Sequence, residues 1–215
     1  MIISRGRRYL FVHIPKTGGT AMAMALEARA MKDDILIGDT PKAQKRKRRL
    51  RDVKTAGRLW KHSTLADIDG LICPEEFDQF FIFTLVRNPW DRMVSYYRWL
   101  RMQNFDHLSV RLAHRLDFTT FLSDPRIQHS ISGSPYGSYV QDCSGTERPT
   151  HFIRLEHLAE DMAPLEAHLG FCLDEIPQAN ASEREKNHRD YYDDGTQEVV
   201  ANLCREDIAR FGYSF

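Results

Sequence analysis

The sequence of 215 residues has only four cysteines, and no two of them lie close together. Their wide spacing excludes a CxxC redox pair and the usual ligand patterns of structural zinc sites. Free thiols in a reducing cytosol are the expectation for such a chain. The four residues are Cys73, Cys143, Cys172 and Cys204.

Long apolar runs and net charge are also missing. The apolar run Tyr9–Ile14, which follows the basic residues near the start, is too short for a signal sequence or a bilayer span. Lys+Arg and Asp+Glu both number 30, so no overall electric field would attract nucleic acid. We therefore expect a soluble, cytoplasmic protein that forms one domain over residues 1–215, without a membrane-spanning segment. The sequence carries no signal of oligomeric state.

A strand-to-helix turn is predicted at Pro15–Thr20. The β-branched and aromatic run Tyr9–Ile14 predicts a buried strand, and the Ala/Met/Leu run that follows the turn predicts a helix. Gly18 and Gly19 allow a ligand to approach the main chain, where the first amides of the helix favour an anion. Lys16 adds a full positive charge. The pattern predicts phosphate or sulfate binding, and the alternative is a tight turn with a solvated lysine.

The turn differs from a Walker A loop. Lys16 precedes the paired glycines, and the leading glycine of GxxxxGK[ST] is absent. No set of carboxylates resembles a magnesium site. We therefore expect no metal ion.

A second candidate anion site follows the strongest predicted strand. Phe80–Val86 is apolar on both faces, as a central parallel strand should be. Asn88 and Pro89 are typical of the first positions of a helix. Arg87 precedes that helix and Ser95 lies about 9 Å along its axis from Pro89, so a long arginine side chain and the hydroxyl could converge on one phosphate. The alternative is an arginine that caps its own loop carbonyls.

His62 is the candidate base. The segment Arg58–His62 predicts a short strand, with Ser63 or Thr64 as the N-cap of a following helix. His62 would then lie at the edge of the sheet where ligands bind in open α/β folds. An imidazole there can accept a proton near neutral pH. A surface histidine without a catalytic role is the alternative.

Two further regions carry weaker signals. Residues 42–58 form a basic run with nine Lys and Arg against Asp52 alone, which predicts a solvated helix or loop, or a site for an anionic glycan. No aromatic residues interrupt the run, which argues against binding of single-stranded nucleic acid. Residues 104–148 are expected to be irregular and to face the acceptor, with a short helix at Asp117–Leu122 and a Ser/Gly/Pro-rich loop at Ser130–Tyr139.

These motifs together resemble a known family. PKTGGT after one strand and LVRNPWDRMVSYY at a later strand are similar to the paired cofactor-binding signatures of sulfotransferases that use 3'-phosphoadenosine 5'-phosphosulfate (PAPS). In particular, they resemble the carbohydrate sulfotransferase branch, or sulfotransferase family 2. Weaker likeness extends to HFIRLEHL with Asp161 and to the final residues, 207–215. Because no anchor-like segment is present, a bacterial-type enzyme is expected.

The resemblance implies an activity and roles for particular residues. Lys16 would stabilise the leaving group and His62 would take the proton of the acceptor hydroxyl, which belongs to a carbohydrate or other hydroxyl compound. Arg87 and Ser95 would hold the 3'-phosphate, and the product would be 3'-phosphoadenosine 5'-phosphate (PAP). The full set of implied nucleotide contacts is Lys16, Thr17, Gly18, Gly19, Thr20, Ala21, Arg87, Ser95, Ser182, Arg184 and Lys186.

The implied fold is a P-loop-NTPase-like, three-layer α/β/α domain with a central parallel sheet. The alternation of predicted strands and helices favours the same class independently. Two other functions stay open from the residues alone: a P-loop-like small-molecule kinase, and a non-catalytic module that binds nucleotides or polyanions.

Overall fold

A computed structural model of the chain describes residues 1–173 and 187–215. The described residues form two compact units. The first contains residues 1–86 and 136–173, and the second contains residues 87–135 and 187–215. The predicted nucleotide contacts Ser182, Arg184 and Lys186 lie outside the described residues.

The first unit contains a five-stranded sheet with the strand order β3-β1-β2-β4-β5. Strands β2, β4 and β5 pair in parallel, whereas β1 pairs antiparallel with β2 and with β3. The predicted α/β fold with a central sheet is confirmed, and the sheet is mostly rather than wholly parallel. The strands are β1 Ile2–Ser4, β2 Tyr9–Val12, β3 Ile35–Leu36, β4 Phe81–Val86 and β5 Thr150–Arg154.

Helices follow the strands along the chain. Those of the first unit are α1, α2, α7 and α8, and the others belong to the second unit. In chain order they are α1 Gly19–Ala28, α2 Pro41–Arg46, α3 Pro89–Arg101, α4 Leu108–Arg115, α5 Phe118–Ser123, α6 Pro125–Ser132, α7 Leu158–Asp161, α8 Ala163–Leu169, α9 Asp194–Leu203 and α10 Arg205–Phe211.

Both faces of the sheet are buried within the first unit. Because side chains alternate along a strand, Phe11 of β2 packs on one face with Met22 of α1 and Leu165 of α8. Val12 packs on the other face with Leu65 and Ile68, which lie in turns. The turn after β2 is therefore anchored by core contacts on both sides of its strand.

The second unit packs around α3. Asn88 caps this helix by accepting from the amides of Trp90 and Asp91, and Pro89 occupies its first turn, as the sequence predicted. The buried face of α3 packs against Phe121 of α5 and Val200 of α9. Ser95 is also buried, at 8% exposure, in the second turn of the helix.

The predicted strand at Arg58–His62 is wrong. Residues 58–63 form turns instead, and no helix follows at Leu65. The hydroxyl of Ser63 accepts from the amide of Trp60 at 3.0 Å and lies 2.9 Å from the carbonyl oxygens of Arg58 and of Trp60. Because this one buried hydroxyl binds backbone groups of both Arg58 and Trp60, the segment folds back on itself and cannot extend into a strand.

The expectation of irregular structure over residues 104–148 is wrong in part, because only the short helix predicted at Asp117–Leu122, which is confirmed as α5, was expected there. Helices α4, α5 and α6 lie there, and the side chains of His107, Asp117 and Asp124 cap their first turns. The basic run begins in α2 and continues through the 3₁₀ helix Lys47–Leu50 into turns. Within residues 1–173 and 187–215, no helix is long and apolar enough to cross a membrane.

Candidate active site

The turn after β2 has the geometry of an anion cradle. Two of its residues have a positive φ, which is 67° at Lys16 and 87° at Gly18. Gly18 is the N-cap of α1 and helix begins at Gly19, so the chain reverses within a few residues at the carboxyl edge of the sheet. A left-handed conformation is unusual for lysine, and residues held in this way cluster at functional sites.

Both glycines of the turn are required for steric reasons. A Cβ atom on Gly18 would lie 2.9 Å from Cδ1 of Leu155, the residue after β5. A Cβ atom on Gly19 would lie 2.1 Å from Cδ2 of His13, which is inside the imidazole ring's van der Waals surface. The main chain of the turn therefore packs directly on its neighbours.

The turn presents backbone donors. Among the described residues, the amides of Gly18, Gly19 and Thr20 donate to no protein acceptor. The first amides of a helix carry the positive end of its dipole, and together they favour a bound anion. Thr20 is half-buried, and its hydroxyl adds a donor beside these amides.

Two of the predicted contact residues face inward. The hydroxyl of Thr17 is fully buried and donates to the carbonyl oxygen of Ile14 at 3.0 Å. The amide of Ala21 donates to the carbonyl oxygen of Gly18 at 3.1 Å, and its methyl group is buried. Thr17 can therefore meet a ligand through its amide only, whereas neither the amide nor the methyl group of Ala21 is directed at the cradle.

His62 lies beside this turn although it comes from a different segment. Its Nδ1 is 2.8 Å from the carbonyl oxygen of His13, the first residue after β2. A carbonyl oxygen only accepts, so Nδ1 carries the proton and Nε2 keeps the lone pair. The two imidazole rings meet edge to face, with centroids 4.6 Å apart. The contact fixes both the tautomer and the orientation of His62.

Burial keeps both histidines neutral. It lowers the pKa of His62 to about 4, although the hydrogen bond to His13 opposes the shift. Burial also lowers the pKa of His13 well below its usual value, and the positive charges of Lys61 and Lys16 add to the effect. Nε2 of His62 is therefore unprotonated at neutral pH, the state that a proton acceptor requires.

Arg87 is held by an acidic neighbour in the second unit. Its Nε donates to Oδ2 of Asp91 at 2.7 Å, one helical turn along, and the side chains are 12% and 19% exposed. Asp91 is itself fixed in the first turn of α3 by the Asn88 cap. The pair sets the direction of the guanidinium group, and Ser95 follows two turns along the same helix.

The structure therefore divides the predicted site residues. Lys16–Ala21 and His62 lie together in the first unit, and Arg87 and Ser95 lie in the second. Sequence reasoning assigned no role in the site to His13 or to Asp91. The sequence signal for the Arg87–Asp91 pair is the spacing, because an acidic residue four positions after an arginine can reach it one helical turn along. Among the described residues, no group of three or more His, Cys, Asp or Glu could hold a metal ion.

Comparisons with known proteins agree with the motifs. A family model described as "Sulfotransferase family" matches residues 1–214. Among solved structures, the chain is similar to mouse sulfotransferase SULT7A1 complexed with PAP, with a TM-score of 0.56 and 16% sequence identity. That match covers 94% of this chain and 84% of the mouse chain, and at this identity it shows the fold alone. No curated protein sequence matches the chain.

We predict that Gly19→Ala lowers the free energy of unfolding by about 1–3 kcal/mol, because the new methyl group collides with the ring of His13. Gly195→Ala is a matched control in the first turn of α9, where a Cβ atom would meet only Oδ1 of Asp193 at 3.6 Å. This control should keep or raise stability by up to about 1 kcal/mol in urea unfolding. Equal effects of the two substitutions would contradict the packing described for Gly19.

We also predict that the ring protons of His62 titrate in NMR spectra with a pKa of about 4, because burial disfavours the imidazolium form. The signal is assigned by its loss in His62→Gln. Charge should appear on this ring only as the pH falls through that value. A titration near 6.5, the ordinary value for histidine, would show that His62 is solvated rather than held as described.

Proposed function

Because the chain belongs to the sulfotransferase family, we propose that it transfers a sulfuryl group from PAPS to a hydroxyl group of a carbohydrate. The observation that carries the proposal is the pairing of an anion cradle with an oriented, neutral imidazole at the same edge of the sheet. Such a transfer requires a cation at the leaving group and a base at the acceptor hydroxyl, and this edge of the sheet offers Lys16 and His62.

The cradle fits the 5' end of this nucleotide. The amides of Gly18, Gly19 and Thr20 donate to no acceptor among the described residues and would serve one anion, and glycine is needed where the main chain must come close to it. The positively charged amine of Lys16 would lie at the oxygen that joins sulfur to phosphorus. We propose that Lys16 stabilises the negative charge that this oxygen gains as it leaves.

The second unit fits a phosphate monoester. Arg87 is oriented by Asp91, and Ser95 offers a hydroxyl on the same helix. We propose that these two side chains hold the 3'-phosphate, which distinguishes PAP from nucleotides without this group. Ser182, Arg184 and Lys186 lie outside the described residues, and their contact with the nucleotide stays a prediction.

The bound nucleotide supplies an activated sulfuryl group. His62 takes the proton of the acceptor hydroxyl at Nε2 while its Nδ1–H stays on the carbonyl of His13. The acceptor oxygen gains a bond to sulfur, the bond between sulfur and the phosphate oxygen breaks, and PAP leaves. His62 must return its proton to solvent before the next cycle, which its low pKa favours.

We predict that the chain binds PAP more tightly than adenosine 5'-phosphate in isothermal calorimetry, because only PAP carries a 3'-phosphate. Arg87→Ala should weaken the affinity for PAP at least tenfold, because a hydrogen bond to a charged group contributes about 1.5–3 kcal/mol. It should leave the affinity for adenosine 5'-phosphate nearly unchanged.

Arg126→Ala is the control for that measurement. It removes another Arg–Asp pair of the second unit, with Asp124, at an exposed position outside the motifs. Its affinity for PAP should stay within about threefold of the wild type. Tighter binding of ATP than of PAP would favour a kinase instead, and equal loss in both arginine variants would contradict the role of Arg87.

We predict that His62→Ala lowers the rate of transfer of radiolabelled sulfate from PAPS to a polysaccharide extract by about 10²–10⁴, the usual contribution of a general base. The affinity for PAP should not change, because His62 contacts the acceptor side. His129→Ala, an exposed histidine of α6, is the control and should keep the rate. A His62→Ala chain with full activity would overturn the assignment of the base.

A further inference from the structure

Among the described residues, the two most exposed large apolar side chains lie in one loop of the second unit. Met102 is 60% exposed and Phe105 is 49% exposed, and both follow directly after α3. The other exposed side chains of this kind, Met24, Met31 and Trp60, belong to the first unit. Single exposed apolar residues are normal, whereas neighbouring ones mark a surface that binds a partner.

Aromatic rings extend this patch back onto α3. The ring centroids of Trp99 and Phe105 are 6.1 Å apart, and Tyr96 stacks on Trp99 at 6.4 Å with an interplanar angle of 20°. Tyr96 and Trp99 are half-buried, because they also pack against the core of the second unit. We call Tyr96, Trp99, Met102 and Phe105 the apolar tip.

Hydrogen bonds fix the shape of the loop that carries the tip. The amides of Met102 and Gln103 donate to the carbonyl oxygens of Trp99 and Leu100, each at 3.0 Å. The carbonyl oxygen of Gln103 lies 2.9 Å from Nε2 of His114 in α4. The exposure of the apolar tip is therefore a property of a closed turn that two helices hold in place.

Cations surround the apolar tip. Residues 98–115 contain four arginines and a single acidic residue, Asp106, which pairs with Arg111. Arg101 and Arg115 are exposed, and neither has an acidic partner among the described residues. The surface around the tip is therefore positively charged.

Two adjoining depressions lie on the same surface. One, of about 390 Å³, has Phe105 and Arg111 in its wall, and the other, of about 440 Å³, has Arg101. His114 and Arg115 line both depressions. A guanidinium group binds phosphate oxygens through two parallel hydrogen bonds, so each depression can hold a phosphate group beside the apolar tip.

We propose that this surface docks on an anionic lipid bilayer. Met102 and Phe105 enter the boundary between the headgroups and the acyl chains, while Trp99 lies at the level of the headgroups. Arg101 and Arg115 bind headgroup phosphates in the two depressions. The contact lies on the membrane surface, and it goes beyond the sulfuryl transfer proposed above.

The composition of the surface favours a bilayer over a second copy of the chain. Apolar side chains at the front, aromatic rings behind them and arginines beside them are the parts of an interfacial membrane anchor. Two copies that met through this face would bring the same cations together, and like charges oppose such a contact. An anionic bilayer complements both the charge and the apolar tip.

The test is flotation of the chain with vesicles of phosphatidylcholine alone and with vesicles that contain about one-third phosphatidylserine. The wild type should bind the anionic vesicles at least tenfold more tightly, and added salt should reduce the difference because it screens the arginines. Met102→Ser and Phe105→Ser should each weaken binding to the anionic vesicles about fivefold or more, since an apolar side chain no longer enters the bilayer.

Met24→Ser is the matched control for the apolar tip. Met24 is 43% exposed on α1 of the first unit, so its replacement should leave vesicle binding unchanged. Arg115→Gln should weaken binding to the anionic vesicles about fivefold, the usual effect of one basic residue near such a surface. Arg48→Gln, which removes an exposed cation of the basic run, is the matched control for charge and should keep binding within about twofold.

The outcomes decide the proposal without reference to the nucleotide site. Equal binding of both kinds of vesicle, or of neither, overturns it, as does unchanged binding by Met102→Ser and Phe105→Ser. Equal losses in Arg115→Gln and Arg48→Gln would show that overall charge, rather than this surface, attracts the vesicles. Binding of an acidic amphipathic peptide of Leu and Glu, but of no vesicle, would assign the surface to a protein partner instead. Circular dichroism and thermal unfolding confirm that each variant is folded.

Discussion

One hydrogen bond, from Nδ1 of His62 to the carbonyl oxygen of His13, connects the candidate base to the strand that leads into the anion cradle. His13 follows β2 directly and its ring packs on Gly19, where the cradle becomes helix. His13 therefore both orients the base and excludes a side chain at position 19 of the cradle. Displacement of His13 would disturb the tautomer of His62 and the shape of the anion site together.

The low pKa of His62 follows from the same packing. Its ring is confined between those of His13 and Trp60, and burial costs the imidazolium form more than it costs the neutral ring. A base with a pKa of about 4 is weak in isolation. The two negative charges of a phosphosulfate group in the cradle would raise the pKa of His62, so that base strength increases when the nucleotide is bound.

The sequence was most informative where local and long-range preferences agree. Strand β4 and helix α3 could be predicted because an apolar run, an N-cap at Asn88 and a proline at the first helical position support one structure. The turn at residues 58–63 could not be predicted. Its shape depends on the hydroxyl of Ser63, which contacts backbone groups of two residues. Such a contact cannot be predicted from the periodicity of apolar and polar side chains. For the same reason the carbonyl of His13 was missed, since any residue has a carbonyl.

The most direct measurement of the central claim is a crystal structure of the chain with PAP bound. We expect the 5'-phosphate on the amides of Gly18–Thr20 with the Lys16 amine beside it, and the 3'-phosphate on Arg87 and Ser95. Nε2 of His62 should face the position from which the sulfuryl group departs. A nucleotide bound elsewhere, or in the cradle with its 3'-phosphate far from Arg87, would contradict the account.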